Sequence, residues 1–187
     1  MLQGGGRCYT HNEGRRLMRG RVRWRDNQEW PTPQPRGRRD DEVKGLIHAF
    51  ICPACHAILR DNVWYVDEQE YRQLESEPGV RLALCPGCLK VARGVYEGEV
   101  ILQSRLLVPS KSAALDLISN EEERARCSNP LSRLTALEDY GDEIKILTTT
   151  PILAERIGKA FRKIYEGNLE IQHFPWQRFC RVRWYRE

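Results

Sequence analysis

Residues 85–107, CPGCLKVARGVYEGEVILQSRLL, decide the fold. They open with a Cys-x-x-Cys pair that has a twin upstream, Cys52-Pro53-Ala54-Cys55, and run on into a segment rich in Val, Ile and Leu. A Cys-x-x-Cys turn places two thiolates on one side of a tight loop, and two such loops close a tetrahedral shell around Zn²⁺ at Zn–S distances of about 2.3 Å. The interval from Cys55 to Cys85 exceeds the commonest ribbon spacing but can still hold a hairpin. Cys52, Cys55, Cys85 and Cys88 are therefore expected to bind one structural zinc ion, in a zinc ribbon over residues 46–95. A unit of that size buries too little apolar surface to be stable alone and takes much of its folding free energy from the metal.

Two other readings of the same cysteines fail on context. Cys52 to His56 spells C-x-x-C-H, the c-type haem attachment pattern. That reading needs export, finds no apolar signal segment ahead of it, and leaves Cys85 and Cys88 without a task. A thioredoxin-like redox pair needs a strand that runs into a helix at the motif. Here Ile58-Leu59 and Val63-Trp64-Tyr65-Val66, which follow, read as strand. With no signal segment and no stretch of about 18 apolar residues, the sequence reads as a soluble, cytoplasmic protein of a reducing compartment, with no membrane partner.

Upstream of the ribbon the composition changes. The 187-residue chain carries a net charge of +4, yet residues 1–39 hold ten arginines against Glu13, Asp26 and Glu29, a local +7 that leaves −3 on the rest. Gly4-Gly5-Gly6 and Pro31, Pro33 and Pro35 mark residues 1–45 as a basic arm expected to be disordered. A basic arm on a mildly acidic body suggests a polyanionic partner. Arg21, Arg23, Arg25, Arg36, Arg38 and Arg39 are the candidate phosphate contacts, with Trp24 and Trp30 available for stacking.

Between the cysteine pairs, Asp67 to Glu77 reads as a solvent-facing helix or loop, and Val80 to Leu84 as the strand that brings in Cys85. Downstream, Gly98 to Val108 reads as a strand, and Ser110 or Ser112 can cap a helix that ends at Asn129-Pro130. Leu131–Glu138 and Glu143–Thr149 form a hairpin around Gly141. Thr150 caps a helix with Pro151 at its first position, stopped by Gly167. Leu153, Ile157, Ala160, Phe161 and Ile164 share one face of it. Asn168–Phe174 and Arg178–Tyr185 are the last strands. The order, β-α-β-β-α-β with an added strand, predicts an α+β, ferredoxin-like domain over residues 96–187, with both helices on one side of an antiparallel sheet. Alternation along the last strand puts Cys180, Val182 and Trp184 under the helices. It puts Phe179, Arg181, Arg183 and Tyr185 on the open face, where rings could stack bases and guanidinium groups hold phosphates.

The four cysteines, VARGVYEGEVIL (91–102), EEERARCSNPLSRL (121–134), ILTTT (146–150) and LAERIGKAFRKIYEG (153–167) together resemble the bacterial and archaeal NMD-type zinc proteins. These affect ribosome stability and mRNA decay and are relatives of the eukaryotic export adaptor of the large ribosomal subunit. The resemblance covers about residues 52–185 and implies association with the large subunit or its RNA. The four cysteines carry over residue by residue, whereas no RNA-contacting residue does. The adaptor's additional Cys-x-x-Cys pairs and its elongation-factor-like domain have no counterpart here, so nuclear export does not carry over.

An enzyme is the competing class. His11, His48, His56 and His173 have no serine or carboxylate partner at a recognisable spacing, and no P-loop is present. Cys180 with His173 is a conceivable nucleophile and base, but a core cysteine on a strand is the simpler reading. The expectation is a non-enzymatic zinc protein without a small-molecule substrate. The alternative is a protein–protein interaction subunit or adaptor that docks through its sheet without RNA contact.

Overall fold

The computed structural model describes residues 49–187, and the chain divides into two compact units, Met1–Leu84 and Cys85–Glu187. The described part of the first unit is built on a small sheet. Its strands are β1 (Phe50–Ile51), β2 (Ala57–Arg60), β3 (Val63–Val66) and β4 (Arg81–Leu82), in the order β3-β2-β1-β4. β2 and β3 form a tight hairpin because Asp61 and Asn62 both take positive φ, 51° and 62°. That is the twist a two-residue turn needs, and Asp and Asn are the non-glycine residues that accept it most readily. Helix α1 (Glu68–Leu74) starts at Asp67, whose carboxylate accepts the Glu70 amide at 2.9 Å. The expected solvent-facing segment is a helix with one inward face: Tyr71 and Leu74, three apart, are buried in a cluster with Ala49, Ile51 and Ile58.

The second unit opens with helix α2 (Pro86–Arg93), where the sequence reading had the chain run on from the cysteines as a ribbon. Pro86 sits at the first helical position, and Gly94 closes the helix at φ 66°, with the Val95 amide donating back to the Lys90 carbonyl at 2.9 Å. A five-stranded sheet follows: β5 (Gly98–Gln103), β6 (Leu134–Asp139), β7 (Glu143–Thr148), β8 (Asn168–Phe174) and β9 (Phe179–Tyr185). Helix α3 (Lys111–Ser128) links β5 to β6, and α4 (Pro151–Tyr165) links β7 to β8. α4 is capped as expected: Thr150 Oγ1 accepts the Leu153 amide at 3.4 Å.

The strand order is β6-β7-β5-β9-β8, with β5 and β9 parallel and the other pairs antiparallel. The sheet is thus mixed, where an antiparallel sheet with an appended last strand was expected. β9 is not appended at the edge; it lies between β5 and β8. Burial explains the choice. Cys180, Val182 and Trp184 of β9 are fully buried, whereas the apolar residues of β8, Leu169 and Ile171, are only half-buried. The more apolar strand takes the central place, and the chain reaches it through a three-residue turn at Pro175–Gln177.

Val100, Leu102, Ile144, Ile146, Val182 and Trp184 form one core with Ala114, Ile118 and Ala125 of α3 and Leu153, Ala154, Ile157 and Phe161 of α4. The Trp184 indole is satisfied as well as buried, donating to the Glu166 carbonyl at 2.6 Å. The buried stripe of α4 is turned slightly from the expected one: Ala154 and Gly158 face inward, and Ile164 is exposed. Gly158 is the cause. A Cβ there would come within 2.3 Å of Val182 Cγ1, so the glycine lets the helix backbone settle onto β9.

Candidate metal centre

The Sγ atoms of Cys52, Cys55, Cys85 and Cys88 all lie within 4.8 Å of one another. All four are buried, none more than 3% exposed. A tetrahedral zinc thiolate site with bonds of about 2.3 Å has S···S edges of about 3.8 Å, so the donor set and its spacing fit one zinc ion.

Each pair is held by its own backbone. In the first, the Cys52 amide donates to the Ala57 carbonyl at 2.8 Å, and the His56 amide donates to the Cys52 carbonyl at 2.8 Å. Closing that loop requires φ 61° at His56, a left-handed conformation uncommon outside glycine. The imidazole is held away from the thiols. It stacks on Tyr71 with ring centroids 4.2 Å apart, and its Nδ1 lies 3.0 Å from Glu68 Oε2. His56 is thus the residue that completes the turn, and the four donors are all cysteine. Burial pushes the Tyr71 hydroxyl above its usual pKa, with Glu75 and the nearby cysteine sulfurs adding to the effect.

The second pair uses the helix start. Cys85 is the N-cap of α2, and its Sγ accepts the Cys88 amide at 3.4 Å. Gly87 is required by proximity: a Cβ would fall 2.8 Å from both the Cα and the carbonyl oxygen of Leu131. Buried Arg133 points a guanidinium nitrogen at Cys88 Sγ, 3.9 Å away. Four thiolates around Zn²⁺ carry a net charge of −2, and a buried cation beside one of them offsets part of it. Neither Gly87 nor Arg133 was singled out from the sequence. A contact between residues 45 positions apart leaves no local pattern.

The predicted nucleic-acid contacts fall in two places. Arg21, Arg23, Arg25, Arg36, Arg38 and Arg39 lie outside the described residues. Phe179, Arg181, Arg183 and Tyr185 do share the open face of the sheet, but Arg181 is engaged there. Its Nε lies 2.6 Å from Glu99 Oε2, while Lys145 approaches the other Glu99 oxygen at 3.4 Å. Glu99 hydrogen-bonding to Lys145 raises that ammonium's pKa. The Arg181 guanidinium also sits 6.0 Å from the ring centroids of Phe174 and Phe179. By strand register Glu138, Glu143 and Glu170 join this face, so four carboxylates meet three cations on it. It is a mixed-charge surface, not a basic one.

A basic surface lies elsewhere in the same unit. Lys159, Arg162 and Lys163 of α4, with Leu169 and Ile171 of β8, line a shallow cleft of about 480 Å³. The signal was present in the i, i+3 and i, i+4 spacing of the three cations, within a segment read only for its apolar face. Trp176, in the turn before β9, is fully exposed. Among the described residues no helix is long and apolar enough to cross a membrane. Compared with protein-family models, curated proteins and solved structures, the chain matches none.

Proposed function

We propose that this protein is a non-enzymatic zinc protein that associates with RNA, the large ribosomal subunit or its RNA being the expected partner. The observation that carries the zinc reading is the closed shell of four buried thiols. With every tetrahedral position supplied by cysteine, the ion has no place for substrate and acts as a structural clamp. RNA association is supported by the +7 of residues 1–39 and by the Lys159, Arg162 and Lys163 cleft. The resemblance to NMD-type proteins points to the ribosome. In the same reading, β5-α3-β6-β7-α4 is a ferredoxin-like arrangement in which β9 takes the place beside β5.

The test is sedimentation of zinc-loaded full-length protein with purified ribosomal subunits over a range of salt. The expected result is co-sedimentation with the large subunit that weakens as salt rises, by roughly 0.7–0.9 in log–log slope per phosphate neutralised. Replacing Arg162 and Lys163 with Ala should weaken binding and lower that slope by up to about 1.8. Absence of binding at low salt sinks the ribosomal reading.

A second reading, an adaptor that docks another protein through its sheet, is favoured by the mixed-charge open face and by the fully exposed Trp176. Changing Arg181 and Arg183 together to Ala separates the two. Loss of a protein partner with RNA binding intact supports the adaptor, and loss of RNA binding returns the open face to the first reading.

A further inference from the structure

We infer that Glu155, His173 and Cys180 form a second divalent-metal site, distinct from the four-cysteine centre and suited to zinc. One donor atom from each lies within 4.8 Å of the other two. His173 and Cys180 are directly opposite one another on β8 and β9, so the sheet register sets imidazole and thiol side by side. Glu155 comes from the second turn of α4.

The distances fit co-ligands of one metal ion as well as they fit an ion pair. Glu155 Oε2 is taken by Lys159 Nζ at 2.7 Å, which leaves Oε1 facing His173 Nε2 at 3.6 Å. That separation is too long for a hydrogen bond. It is close to the roughly 3.3 Å edge joining a nitrogen and an oxygen that both bind one zinc ion at about 2.0–2.1 Å. Thiolate, imidazole and carboxylate together are a borderline-soft set that suits Zn²⁺ over Mg²⁺ or Ca²⁺. Cys180 is buried and His173 half in solvent, so an ion would enter from the histidine side and sit against the sheet. Binding replaces the Cys180 thiol proton, which leaves to solvent, with the metal–sulfur bond. Three protein donors leave the fourth position to water or to a donor from a partner. That open coordination separates this site from the closed four-cysteine one.

The experiment is metal titration of the full chain whose four-cysteine centre already holds zinc. Added Co²⁺ should bind to one further equivalent, with a single-thiolate charge-transfer band. Cys180→Ser should abolish the band. His173→Ala, on an exposed side chain that folding does not need, should weaken Co²⁺ binding by more than the roughly 10–100-fold that loss of a supporting group costs. In the zinc count, wild type should carry two ions and each variant one. A wild-type protein that saturates at a single metal overturns the inference, and so does a second equivalent that binds His173→Ala as tightly as wild type. Cys52→Ser should remove the ion of the four-cysteine centre and leave the second in place, so the two sites are tested separately.

Discussion

The two units differ most in what lies inside them. Among the described residues, the first packs Ala49, Ile51, Ile58, Tyr71 and Leu74 in one cluster, around strands two to four residues long. The second buries fifteen apolar residues in one cluster, from Val100 to Trp184, between two long helices and five strands. At about 25 cal/mol per Å² of apolar surface, the larger cluster contributes far more toward offsetting the ordering of its backbone. The second unit is therefore expected to rest mainly on packing, and the short strands around Cys52 and Cys55 to rest more on the metal.

The strongest way to break this comparison is to remove the metal. Cys52→Ser, or chelation, should unfold residues 49–84, since structural zinc supplies about 10–16 kcal/mol to small folds that depend on it. Hydrogen exchange should show protection lost over those residues and retained in β5, β7 and β9. Uniform loss across both units would show that the second is not self-sufficient. Next in size is the converse experiment. Phe161→Ala, in the centre of the larger core, should cost about 3–5 kcal/mol by denaturant titration while the zinc content stays unchanged.

Gly87→Ala tests the junction between metal chemistry and packing. Because the obstructing atoms belong to the Leu131 backbone, relief requires movement of main chain, and a loss of about 1–3 kcal/mol with weakened metal retention is expected. A smaller effect is expected from Thr150→Ala, about 1 kcal/mol from the lost cap of α4, with no change in metal.

The last prediction concerns alkaline pH in the first unit alone. Burial, then the hydrogen bond to Glu70, pushes the Tyr65 hydroxyl up to about 12 from its usual 10. A raised folded pKa means the folded state holds the proton more tightly. The contribution is complete below pH 10 and is lost as pH rises from 10 to 12. Tyrosinate absorbance should show a late-titrating group, absent in Tyr65→Phe, whose unfolding midpoint should fall less across that window.

Local chemistry was legible wherever a few neighbouring residues suffice. The two Cys-x-x-Cys pairs, the Thr150-Pro151 helix start, the Gly141 turn and the inward Cys180, Val182 and Trp184 of β9 all came from spacing and alternation. The Pro86 and Gly94 signals of α2 were equally local, but the cysteines around them drew the segment into a ribbon.

Other features needed contacts that sequence order does not encode. Which strand sits beside β5 depended on how much apolar surface β8 and β9 each bury. The turn of α4 onto Gly158 depended on Val182, and the need for Gly87 depended on Leu131. Glu99 reached Arg181 only through the parallel pairing of β5 with β9, which made the open face mixed in charge. His173 met Cys180 and Glu155 only through strand register and the docking of α4. The sequence by itself determined the donors, caps and turns, because these act over a few bonds of chain. Tertiary structure alone decided strand order, surface charge and the second cluster, because these rest on packing between segments far apart in sequence.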